Sequence, residues 1–76
     1  MIKELDCVVV TASLPSERLE VGEVGTVVLI HGNGVAYEVE FPISEERSMP
    51  VVTLEAHQVR LAKRSELAHT KELATH

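Results

Sequence analysis

Few side chains in this 76-residue chain are of a kind that does chemistry. There is one cysteine, Cys7, and there are four histidines, His31, His57, His69 and His76. A nucleophilic thiolate needs a positioned base or cation beside it. Cys7 instead opens a run of three valines, where a buried, inert thiol is the expectation. On a helix, His69 and Glu72 at i, i+3 and Glu72 and His76 at i, i+4 would share a face. A structural zinc site usually takes four ligands in fixed geometry, so no metal site is expected, and no cofactor either. His31 falls in a turn, where it is expected to be solvated, and His57 is expected to pack at a short 3₁₀ turn.

Candidate binding residues are equally sparse. Val35 to Phe41 alternates: Val35, Tyr37, Val39 and Phe41 face one way, and Ala36, Glu38 and Glu40 the other. Tyr37 and Phe41 are the chain's only aromatic residues, and this spacing assigns both to the core. That disfavours a polyproline groove, a methyl-lysine cage and a base-stacking platform. Glu38 and Glu40 are the candidate partner-binding residues. Like charges two apart on one strand face repel mildly, which a cationic partner relieves; the competing explanation is a solvated strand face.

The charge distribution narrows the partner further. Residues 1 to 61 hold ten acidic and four basic residues, and residues 62 to 76 carry a slight positive excess, for a formal net charge of −5. An acidic body repels phosphate backbones and anionic membrane surfaces, so neither nucleic acid nor membrane is expected as a partner. A protein partner is. One cysteine allows no internal disulfide, which fits a reducing cytosol. MIKELD is charged and lacks the apolar stretch of a secretory signal. No apolar run approaches the roughly 20 residues of a membrane-spanning helix. The expectation is a cytoplasmic protein.

These residues must be positioned by one small domain, since 76 residues leave no room for a second core. DCVVVT at 6–11 is a β-branched strand with no readable inner face. Leu14 and Leu19 are expected to anchor the long polar connection after it. Gly22 and Gly25, in GEVG, mark a bend or a close backbone approach. TVVLI at 26–30 is a second strand, and His31-Gly32-Asn33-Gly34 a hairpin turn into the alternating third. Pro42 to Pro50 is a polar loop, Val51 to Leu54 a fourth strand, Glu55 to His57 a 3₁₀ turn, and Gln58 to Leu61 a closing strand with Val59 and Leu61 inward.

From Ala62 the character changes. The segment carries a near-repeat, SELAHT followed by KELATH, with Ser65 as a plausible helix N-cap. It is too short for a helix that is stable alone. The predicted fold is therefore all-β: a five-stranded SH3-like barrel over 1–61, with a C-terminal tail over 62–76 that is helical or frayed. A five-stranded OB-type barrel is the alternative. The tail also offers a route to a homo-oligomer.

IKELD at 2–6, Leu14-Pro15, GEVGTVV at 22–28, YEVEF at 37–41 and VTLEAHQVR at 52–60 occur in that order at suitable spacing. Together they resemble a bacterial family catalogued as domain of unknown function 4926, over Met1 to about Leu61. The resemblance implies a stand-alone SH3-like barrel. That family has no established activity, so it transfers no functional residue, and the tail departs from it. GEVGTVV is also similar to the glycine turn of KOW modules, where basic residues contact RNA. Here its neighbours are Glu20 and Glu23, so the shared feature is the bend.

The expected function is a small acidic, non-enzymatic protein-interaction or accessory domain. Two alternatives fit the same charge and size. One is an antitoxin or immunity-type protein covering a basic partner. The other is a structural accessory subunit of a larger enzyme.

Overall fold

The computed structural model describes residues 1–43 and 50–67. Five strands form one antiparallel sheet: β1 (Cys7–Val10), β2 (Val24–His31), β3 (Ala36–Glu40), β4 (Val51–Glu55) and β5 (Val59–Leu61). Their order is β4-β3-β2-β1-β5. The first four strands form a meander, and a 3₁₀ turn, Ala56–Gln58, carries the chain over to pair β5 with β1. This is the five-stranded, all-β arrangement the sequence predicts.

The absence of periodicity in β1 has a simple cause. Val8, Val9 and Val10 are all buried, so this strand is covered on both faces and needs no polar side. β3 and β4 are one-sided. Tyr37, Val39, Val52 and Leu54 point into the core, and Phe41 just beyond β3 completes it with Val8, Val10, Leu19, Val27 and Val59. β-Branched side chains stiff at χ1 dominate this list, which suits a small pleated core. A fully buried Val, Leu or Phe contributes about 1.5–3 kcal/mol, so each is a large share of a small domain's stability.

The long first connection is tied down as expected. Leu14 and Leu19 bond each other's backbones, N to O at 2.9 and 3.1 Å, across a 3₁₀ turn at Pro15–Glu17. Leu19 is buried and Leu14 packs against the core. The two glycines of GEVG differ in role. Gly22 sits at φ +100° in open space, whereas a Cβ on Gly25 would lie 2.6 Å from Val39 Cγ1 and 2.9 Å from the Glu40 carbonyl oxygen. Gly25 therefore serves close approach of β2 to β3.

Three expectations are corrected. Val35 does not join the inward face of β3. It belongs to a four-residue turn, 32–35, and is 69% exposed, because the paired strands stop at His31 and Ala36. Leu61 is 44% exposed, since β5 ends there and the chain turns away. Ser65 is not the helix cap. Residues 64–67 are helical, and the Lys63 N–H donates to Glu66 Oε1 at 2.6 Å while the Lys63 carbonyl accepts from the N–H groups of Glu66 and Leu67. Glu66 is thus the residue that reaches back to the free N–H, as in half a capping box. Arg60 clamps the same carboxylate with both guanidinium nitrogens, at 3.0 and 2.8 Å.

Within the described residues no helix is long and apolar enough to cross a membrane. The SELAHT/KELATH repeat beyond Leu67, including His69, Glu72 and His76, and the loop at 44–49 lie outside the described residues.

Candidate functional site

The outer face of β2, β3 and β4 carries the candidate residues. Alternation in AYEVE turns Ala36, Glu38 and Glu40 outward, opposite the side that buries Tyr37 and Val39. In β4 the outward set is Val51, Thr53 and Glu55. Residue pairs across this hairpin are Glu40 with Val51, Glu38 with Thr53 and Ala36 with Glu55.

β2 reaches the same face through an irregularity that its apolar run conceals. Val27 pairs with Val39, but Leu29 pairs with Glu38, leaving Val28 as an extra residue in a β-bulge. A strand's side chains alternate, so one extra residue inverts everything beyond it. Val27 is inward before the bulge and Ile30 inward after it, while Leu29 and His31 join the outer face. His31 then stands diagonally across from Glu38.

The outcome is a hydrogen-bonded cluster. His31 Nε2 lies 2.6 Å from Glu38 Oε2. The Thr53 hydroxyl donates to Glu38, 2.8 and 2.9 Å from its two oxygens. These bonds, His31 first and Thr53 second, hold the Glu38 carboxyl below the ordinary value of 4.5, against a smaller opposing effect of desolvation. His31 is therefore not simply solvated in a turn; it ends β2 and orients a carboxylate. Glu40 is exposed, one pair along from this cluster. The sequence brings Glu38 and Glu40 to one face as predicted, but only Glu38 joins the hydrogen-bonded cluster.

Two other chemically capable residues are placed differently from expectation. Cys7 is half-buried rather than sealed in the valine run, because as the first residue of β1 it faces outward beside Thr26. Cys7, Thr26, Glu40, Pro42 and Ile43 line a shallow groove of about 350 Å³. The His57 side chain does not pack at the 3₁₀ turn but is largely exposed, 3.8 Å from Glu55. Among the described residues no group of three or more His, Cys, Asp or Glu is placed to hold a metal ion.

His31 was the functional-face residue that the sequence pattern missed. Its signal lay in chemistry rather than periodicity: a histidine and a glutamate flanking one hairpin turn, both polar in a largely apolar stretch.

Residues 4–61 match the family model described as Domain of unknown function (DUF4926). The chain belongs to this family. The matched span includes all five strands and ends at the last residue of β5, so it takes in the outer-face cluster and leaves out helical residues 64–67. No curated protein and no solved structure matches the chain.

Proposed function

We propose that this DUF4926 member is a non-enzymatic protein-interaction domain of the bacterial cytoplasm, using the outer face of β2–β4 to hold a basic or neutral protein partner. One observation carries the proposal. That face mixes exposed apolar side chains, Leu29 at 46% and Val51 at 37% exposure, with the carboxylates of Glu40 and Glu55. Apolar contact area with charge beside it is the make-up of a protein interface, with the charges setting partner choice.

Other features point the same way. Tyr37 and Phe41 lie in the core, so the face offers bases no aromatic platform. Its negative charge opposes phosphate-rich partners. Catalysis would need a converging nucleophile and base, and the thiol of Cys7 and the imidazole of His31 sit on different parts of the sheet.

The test is affinity capture from native lysate with the full chain and with the double charge reversal Glu40→Lys/Glu55→Lys. A stoichiometric protein held by the wild type and released by the folded double variant supports the proposal. Equal capture by both, or no stoichiometric protein on either, overturns it.

A further inference from the structure

The two ends of the sheet are guarded very differently. β5 is three residues long. Its outer edge is partly covered, since Arg60 Nη1 donates to the Leu61 carbonyl at 3.1 Å, and the chain then turns into helical residues 64–67. Among the described residues β4 has none of these devices. It pairs with β3 through five consecutive residues without a bulge, and VVTLE contains no lysine, arginine or proline. Proteins usually blunt an edge strand with just those features, because an open edge is a template for another chain.

The register shows which groups the edge presents. The Phe41 N–H donates to the Pro50 carbonyl at 2.7 Å, and the Ala56 N–H donates to the Val35 carbonyl at 3.1 Å. In an antiparallel ladder, hydrogen-bonded pairs alternate with non-hydrogen-bonded ones. Pro50, Val52, Leu54 and Ala56 therefore turn their main-chain groups toward β3. Val51, Thr53 and Glu55 turn theirs away. The Glu55 N–H is taken by Gln58 Oε1 at 2.8 Å, which closes the upper end. Among the described residues, the outward N–H groups of Val51 and Thr53 donate no hydrogen bond and their C=O groups accept none.

We infer that β4 accepts an extended, cationic segment of a partner protein as a sixth strand, paired main chain to main chain at Val51 and Thr53. This deepens the interaction-domain proposal and rests on it. The occupant follows from what surrounds the edge. Val52 and Leu54 are already buried by the chain's own core, so the incoming strand finds no inward pocket. Its outward side chains come beside Val51, Thr53 and Glu55, with Glu38 and Glu40 on the next strand. An apolar residue there covers Val51, and lysine or arginine there meets the carboxylates. A second copy is the poorer occupant. It would bring another Glu55 and another body of net charge −5 to the same face, within the roughly 8 Å over which charges act at physiological salt.

The experiment titrates the full chain with a capped peptide alternating lysine and valine, and with its glutamate counterpart, followed by amide NMR and hydrogen exchange. The Lys peptide is expected to shift the Val51 and Thr53 amides. At about ten times its Kd it should slow their exchange about tenfold, the factor by which ligand depletes the free state. The Glu peptide should do neither. Thr53→Pro removes an N–H that β3 does not use and should abolish the effect. If that variant does not fold, Val51→Lys places a guard charge on the edge and should weaken Lys-peptide binding.

Shifts confined to outer-face side chains, with Val51 and Thr53 exchange unchanged, overturn the strand-addition inference yet leave the interaction domain standing. So does retained partner capture by folded Thr53→Pro. Protection of the same amides without peptide, with a doubled mass in light scattering, assigns the edge to a second copy and also overturns it. No response to the Lys peptide overturns it as well.

Discussion

His31 Nε2 and Glu38 Oε2, seven residues apart in sequence, stand 2.6 Å apart across the β2–β3 hairpin. With Val28 set aside as a bulge, His31 pairs with Ala36 and falls on the outer face beside Glu38. The consequence of the contact is measurable. Glu38 is held below its ordinary carboxyl value of 4.5, chiefly by His31 and then by Thr53. A depressed carboxyl contributes stability that is complete above its ordinary value and lost as pH falls through the folded value. His31→Ala should therefore raise the Glu38 midpoint toward 4.5, read by carboxyl NMR titration. Thr53→Val should raise it less, and should cost about 1.5 kcal/mol, the low end for a hydrogen bond to a charged group. A Glu38 midpoint unmoved in both variants would show that the cluster does not persist in solution.

Deleting Val28 is expected to leave the hairpin paired as it is. With the extra residue gone, Val27 still meets Val39 and Leu29 still meets Glu38, so Ile30 stays inward and His31 stays outward. The deletion variant should fold, with reduced stability because the bulge adds twist that helps the sheet curl. Its Glu38 midpoint should remain depressed. If Glu38 titrates at its ordinary value in a folded deletion variant, the strand has slipped register and the bulge is what specifies it.

Gly25→Ala should destabilise the domain by about 1–3 kcal/mol, the usual range for overpacking. The new methyl would lie 2.6 Å from Val39 Cγ1, 2.8 Å from Phe41 Cε1 and 2.9 Å from the Glu40 carbonyl oxygen. The last is main chain in a paired strand and cannot rotate aside. Gly22→Ala should cost about 1–2 kcal/mol by a different route, the left-handed strain of a Cβ at positive φ, since nothing lies near it. Urea unfolding of both variants separates the two. A neutral Gly25→Ala would mean that β2 and β3 separate freely at this point.

Much of the fold was legible because its strongest signals are local. Alternation in YEVEF placed Tyr37, Val39 and Phe41 inside and Glu38 and Glu40 outside, and each is found there. Leu14 and Leu19 were legible as anchors because no other large apolar residue lies in that connection. What escaped detection depends on tertiary partners. Three consecutive buried valines hide the faces of β1, and TVVLI hides a bulge, since neither has polar residues to mark a phase. Val35 and Leu61 continue an alternation past the point where pairing stops. The exposed side of Cys7 follows from its pairing with Thr26, which a single strand cannot reveal.

The helix cap gives the last prediction, because two residues competed for it. Ser65 is the better cap by type, yet Glu66 accepts the Lys63 N–H and the Arg60 fork. With Arg60 as the main cause and the Lys63 N–H second, the Glu66 carboxyl is pulled down to about 2. Its contribution is then complete above the ordinary value of 4.5 and is lost as pH falls toward about 2. Glu66→Ala should free the Leu67 amide to exchange at neutral pH, as acid does in the wild type. Glu66→Gln keeps an oxygen for the Lys63 N–H but loses the ion pair, so it should hold the turn partly and without this acid step. Ser65→Ala should leave the Leu67 amide unchanged. Release of that amide by Ser65→Ala, with Glu66→Ala silent, would return the cap to the serine and separate β5 from the helical turn that follows it.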